Sequence, residues 1–108
     1  MLDTDRLVTD LLAAAQQILG DSFDAVRPYA TAEFRKLAET LVLIAELRAT
    51  GAVDDEQARL LLDIQKNASR TVLLTLEGIA LLTAERVLNA ALGAVTDTIN
   101  RTLGFELL

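Results

Sequence analysis

Hydrophobic residues recur at three- and four-residue spacing along almost the whole chain, a pattern typical of amphipathic α-helices. In residues 4–19 they form one broad face, made of Leu7, Val8, Leu11, Leu12, Ala14, Ala15, Ile18 and Leu19. Asp3 or Thr4 can cap the start of this helix, and Gly20 suits its C-terminal cap. The pattern predicts a first helix over residues 4–19.

A second apolar row runs from Phe23 to Ala45 and stays on one helix face across Pro28. An interior proline removes a backbone hydrogen bond and disfavours helix in the residue before it. We therefore predict one helix over residues 22–49, kinked near Pro28; the alternative is a short helical turn and a new start at Pro28. Leu43 and Leu47 lie on the otherwise charged side of this helix and form a candidate second contact strip.

The segment from Thr50 to Asp54 is the clearest turn in the chain, and Asp54 with Gln57 three residues later forms a capping-box pattern. A connection this short makes the second and third helices antiparallel neighbours. No proline or turn cluster follows, so residues 55–102 are predicted as one very long helix.

The apolar side of this long helix changes direction near Gly78. Before it, a charged row lies opposite an apolar row that we expect the first two helices to cover, made of Leu61, Ile64, Ala68, Val72, Leu76 and Ile79. The charged row consists of Arg59, Asp63, Lys66, Arg70 and Glu77. After Gly78 the apolar row is rotated by roughly 120–160°. We favour a helix continuous through Gly78, because no turn residues accompany this glycine; a kink there is the alternative.

The first two helices are too short to cover both ends of such a helix, so its second half is expected to need partner chains. The predicted architecture is all-α, a single domain over residues 1–108. It is a three-helix antiparallel bundle that assembles into an oligomeric helical bundle. The expected oligomer interface comprises Leu81, Ala84, Leu88, Ala91, Leu92, Val95 and Ile99. An apolar tail at residues 103–108 adds Phe105, Leu107 and Leu108.

Composition supports association and argues against several kinds of chemistry. Hydrophobic residues make up 52% of the chain, which is high for a small monomer that needs a polar coat. A net charge of -6 without a basic stripe argues against nucleic acid. The chain has no histidine and no cysteine, so the commonest general base and the thiolate metal ligands are missing. An all-carboxylate metal site would have to use Glu39, Glu46, Glu77 and Glu85, which are better explained as solvated surface charges.

These observations favour a non-enzymatic structural or interaction protein that self-associates through its long C-terminal helix, as one component of a phage or bacterial particle. We predict no catalytic, cofactor-binding or metal-binding residues and no small-molecule substrate. One alternative is a helical protein of membrane or lipid surfaces, holin-like or granule-coating, which the acidic charge disfavours. Another is an adaptor that binds a partner helix. No signal peptide or conventional membrane-spanning segment is seen, so a cytoplasmic location is expected.

Overall fold

The computed structural model describes residues 2–76 and 79–108. Within these ranges the chain forms four α-helices: α1 (Thr4–Leu19), α2 (Phe23–Ala49), α3 (Asp55–Thr75) and α4 (Leu81–Leu103). A 3-10 turn, Gly20–Ser22, joins the first two helices. The all-α fold class is confirmed, and α2 continues through Pro28 as one helix.

Local side-chain contacts explain where these helices begin and end. The Asp3 carboxylate accepts hydrogen bonds from the backbone N–H groups of Asp5 and Arg6 at the start of α1. At the start of α3, Asp54 Oδ1 accepts from the Gln57 N–H at 2.8 Å, and Gln57 Oε1 accepts from the Asp54 N–H at 2.9 Å. This reciprocal pair is the capping box that the sequence indicates, and it satisfies two backbone donors that no helical carbonyl can reach.

The prediction of one continuous helix over residues 55–102 is wrong. α3 ends at Thr75, Leu76 has an extended backbone (φ -80°, ψ 136°), and α4 begins at Leu81. Gly78, the predicted pivot, lies outside the described residues. A continuous rod would be about 70 Å long, whereas the longest dimension of the molecule is 42 Å. Breaking the rod lets α4 fold back and bury its apolar row, and each buried Leu or Val contributes about 1.5–3 kcal/mol.

The four helices form an up-down-up-down bundle in which sequential helices are antiparallel neighbours, rather than the predicted three-helix bundle. Between α2 and α3, Thr40 Oγ1 donates to Gln65 Oε1 at 3.0 Å, and Arg48 Nε lies 2.7 Å from Asp55 Oδ1. The residue numbers rise on one helix as they fall on the other, as antiparallel packing requires. α4 closes the ring by packing along α1, with a narrower contact to α3.

The core runs along the bundle axis and receives side chains from all four helices. Its largest fully buried side chains include Phe23, Phe34, Leu11, Leu37, Leu41, Ile44, Leu73, Leu88 and Ile99. α2 supplies more of them than any other helix, because its apolar row extends over nearly its whole length. α2, the longest helix, therefore forms one side of the bundle. The face of α2 that points away from the core is part of the solvent-exposed surface.

Candidate interaction surface

Most of the residues predicted to form an oligomer interface lie in the core of their own chain. This buried group comprises Ala84, Leu88, Ala91, Leu92, Val95 and Ile99. The prediction that the first two helices cannot cover this row is wrong, because α4 is a separate helix that packs along α1. Leu81, at the first turn of α4, is the exception and is exposed.

The apolar tail also folds onto its own chain instead of extending to a neighbour. Asn100 Oδ1 accepts hydrogen bonds from the backbone N–H groups of Leu107 at 2.9 Å and Leu108 at 3.0 Å. The guanidinium groups of Arg48 and Arg59 lie over the Phe105 ring, 5.5 and 5.3 Å from its centre. The turn at Gly104, whose φ of 77° favours glycine, directs the tail back toward α3. Leu107 is buried, and Phe105 and Leu108 are partly buried.

α3 is rotated relative to the orientation that its sequence pattern predicts. Its buried residues are Ala58, Leu62, Ser69 and Leu73. The apolar row predicted to face the core instead points partly outward, with Ile64 68% exposed and Leu61 half-buried. The charged row lies toward α4, where the Arg70 guanidinium pairs with the Glu85 carboxylate. Part of this apolar row, Ile64 and Ala68, is therefore at the surface, whereas Ile79 at its end is buried.

This exposed row lies beside the candidate strip on α2. The contacts of Thr40 with Gln65 and of Arg48 with Asp55 fix the register of the two helices, and by interpolation Leu43 is level with Leu61. Leu43 is 50% exposed and Leu47 is half-buried. We call the combined surface the outer patch and define it as Leu43, Leu47, Leu60, Leu61 and Ile64. It spans two adjacent helices that a partner could contact together.

The row of α3 that contains Leu61 and Ile64 carries no charge over five helical turns. Residues at alternating three- and four-residue spacing share this side, and they are Gln57, Leu61, Ile64, Ala68, Thr71 and Thr75. A solvated helix face is normally rich in Lys, Glu, Arg and Asp. The uncharged row therefore has the composition of a covered face, although each of its residues except the half-buried Leu61 is exposed.

A buried polar network crosses the α2–α3 contact beyond one end of the outer patch, and the sequence pattern did not predict it. The Glu33 side chain is 3% exposed, and its Oε1 accepts a hydrogen bond from Ser69 Oγ at 3.2 Å. Ser69 Oγ in turn accepts from Gln65 Nε2 at 3.1 Å, and Lys36 Nζ lies 3.7 Å from Glu33 Oε2. A signal was present, because Glu33 falls within the apolar row of α2, between Ala30 and Leu37.

This network is better suited to fixing helix register than to chemistry. Each of its buried polar atoms has a hydrogen-bond partner. A buried carboxylate that loses its partners is costly, so the network favours the single register in which Glu33 meets Ser69. It thereby holds the two helices that carry the outer patch in one relative position.

A groove of about 320 Å³ between α3 and α4 has Leu62 and Leu92 among its lining residues, together with Asp63 and Lys66. Across residues 2–76 and 79–108, no three acidic side chains come together as a candidate metal site. In the same ranges, no helix has both the length and the hydrophobicity needed to cross a membrane.

These features define the molecule as a four-helix up-and-down bundle with an uncovered apolar surface on α2 and α3. Comparison of the chain with protein-family models, with curated proteins and with solved structures gives no match.

Proposed function

We propose that this chain is a non-enzymatic interaction protein that self-associates through the outer patch, as one component of a larger assembly, with a cytoplasmic location. The observation that carries the proposal is the exposure of Leu43, Leu60 and Ile64 on two adjacent helices. The proposed interface lies on α2 and α3, whereas the sequence analysis predicts an interface on α4.

The size of the outer patch supports a weak rather than an obligate association. Its side chains are about half exposed, so burying each one contributes about 1 kcal/mol, half of the value for complete burial. Five such residues from each of two copies give about 10 kcal/mol, against an association cost of about 4–15 kcal/mol. The gain therefore exceeds the cost by at most about 6 kcal/mol, which corresponds to a dissociation constant no tighter than the micromolar range. The fraction of associated protein should therefore change when the protein concentration is varied within this range.

The proposal is tested with a charged substitution in the centre of the patch. Ile64→Asp places a carboxylate on the surface that a partner would bury, and it should remove association because burying an unpaired charge costs several kcal/mol. The molar mass is measured by size-exclusion chromatography with light scattering, at loading concentrations up to about 100 μM. Circular dichroism establishes that the variant keeps its helix content.

Leu82→Asp is the matched control, because Leu82 is 73% exposed but lies on α4, away from the outer patch. This variant should associate as the parent does. If Leu82→Asp disrupts association and Ile64→Asp does not, the interface lies at the end of the bundle where α4 begins. If Ile64→Asp associates like the parent, the outer patch is not the interface.

A further inference from the structure

We infer that the groove between α3 and α4 binds an extended peptide segment of another protein, and that the apolar tail of this chain occupies one end of the groove until such a segment displaces it. The segment carries an aromatic residue, a leucine two positions later and further apolar residues after the leucine. The groove lies on the side of α3 opposite the outer patch, so this inference is independent of the proposed self-association.

The groove is present because α3 and α4 have a narrower contact than the other pairs of neighbouring helices. The Arg70–Glu85 pair joins the two helices beyond one end of the groove, and the apolar tail lies between them at the other end. From Arg59 to Lys66 the groove is about 10 Å long, the length of about three residues of extended chain. The nearly buried Leu62 and Leu92 form its floor, and the polar side chains along its edges are Asp63, Lys66, Asn89 and Thr96.

The contacts of the apolar tail show which side chains this end of the groove recognises. The guanidinium groups of Arg48 and Arg59 lie over the Phe105 ring, and Arg48 is itself held by Asp55 at 2.7 Å. Cations over an aromatic face attract the ring, so this position selects an aromatic residue. Leu107, two residues later, is buried, so the second position selects an apolar side chain.

Side chains of α3 and α4 also bind the backbone of the tail. Asn100 Oδ1 accepts from the N–H groups of Leu107 and Leu108, and Asn100 Nδ2 donates to the Leu108 carbonyl at 3.2 Å. Arg59 Nη2 donates to the Glu106 carbonyl at 3.2 Å. These hydrogen bonds use only main-chain atoms of the tail, so another segment with the same spacing of apolar residues can form them.

The tail fills only one end of the groove. Leu107 and Leu108 border the remaining space of about 320 Å³, and a side chain added at Gly93 would meet no atom within 4 Å. A segment that makes the contacts of the tail and continues by two or three apolar residues along Leu62 and Leu92 buries more apolar surface than the tail does. Such a segment therefore competes with the tail, although the tail is attached to the same chain.

The test compares the full parent chain with Leu107→Ser, in which the tail loses its buried side chain and leaves the groove. The probe is a synthetic peptide, GFELLAL, which has the tail sequence followed by alanine and leucine. Leu107→Ser should bind it with a dissociation constant in the millimolar range, as expected for a short flexible peptide. The parent should bind it at least about tenfold more weakly, because only chains with an empty groove are competent. Binding is measured from the shifts of backbone amide NMR signals.

A blocking substitution establishes where the probe binds. Gly93→Gln in the Leu107→Ser chain places a long side chain in the groove and should weaken binding at least about tenfold. Ala94→Gln in the same chain is the matched control, because Ala94 is the next exposed residue of α4 but does not line the groove; it should leave binding unchanged. Circular dichroism establishes that each variant keeps its helix content.

Three results would overturn the inference. The first is that Leu107→Ser shows no binding at probe concentrations up to about 10 mM. The second is that the parent binds the probe as tightly as Leu107→Ser, which would mean that the tail does not occupy the site. The third is that Gly93→Gln leaves binding unchanged, which would place the probe outside the groove.

Discussion

Removal of the Ser69 hydroxyl is the sharpest test of how the bundle is held in register. Ser69 is fully buried, and its Oγ donates to Glu33 Oε1 and accepts from Gln65 Nε2. In Ser69→Ala, the buried carboxylate loses this donor and the Gln65 amide loses an acceptor. Hydrogen bonds to charged groups contribute about 1.5–3 kcal/mol, so we expect the free energy of unfolding to fall by about 2 kcal/mol.

For a chain of this size, that loss lowers the melting temperature by roughly 10 °C. The free energy of unfolding is measured by urea denaturation, followed by circular dichroism at about 1 μM protein so that association does not contribute. Thr71→Ala is the matched control, because Thr71 is exposed on the same helix and its hydroxyl bonds only the Asn67 carbonyl. Its effect should stay within about 0.5 kcal/mol.

A double variant separates the network from simple loss of packing. Glu33→Leu combined with Ser69→Ala replaces both partners by apolar groups, which is close to neutral when shapes are kept. The double variant should therefore be more stable than Ser69→Ala alone. If Ser69→Ala changes the free energy of unfolding by less than about 0.5 kcal/mol, the network does not hold α2 against α3 and this reasoning is refuted.

Two further predictions concern the core and the tail. Phe34→Ala empties a fully buried site on α2 and should lower the free energy of unfolding by about 3–5 kcal/mol; a loss below about 1 kcal/mol in urea denaturation would place Phe34 at the surface. Asn100→Ala removes the side-chain oxygen that accepts from the Leu107 and Leu108 amides. Hydrogen exchange at these two amides should become faster by about tenfold or more, whereas an unchanged rate would mean that Asn100 does not hold the tail.

The parts of the fold that depend on residues close together in the sequence could be predicted from the sequence. The capping box of Asp54 and Gln57 and the turn before it are local signals, and they appear in the structure as expected. The break between Thr75 and Leu81 has a weaker signal, the change in direction of the apolar row near Gly78, which we interpreted as a continuous helix with a kink as the alternative. The break arises because a folded-back α4 buries its apolar row against the rest of the bundle, and tertiary packing of this kind overrides local helix preference.

Periodicity also showed which residues share a helix face without showing what covers that face. Leu88 and Ile99 were correctly placed on one apolar row, but the row is covered by the same chain. Ile64 was placed on a buried row and is exposed, because α3 meets the core through Leu62 and Leu73. Of the candidate site, Leu43 was singled out by its spacing to Leu47, whereas its position beside Leu61 depends on helix register and required the structure.

The most direct test of the central claim is a sedimentation equilibrium series on the unmodified chain. The outer patch predicts a reversible change from a monomer of 11.7 kDa to a dimer of twice that mass as the concentration rises to about 100 μM. A constant monomer mass across the whole series would contradict the claim that the outer patch is an interface.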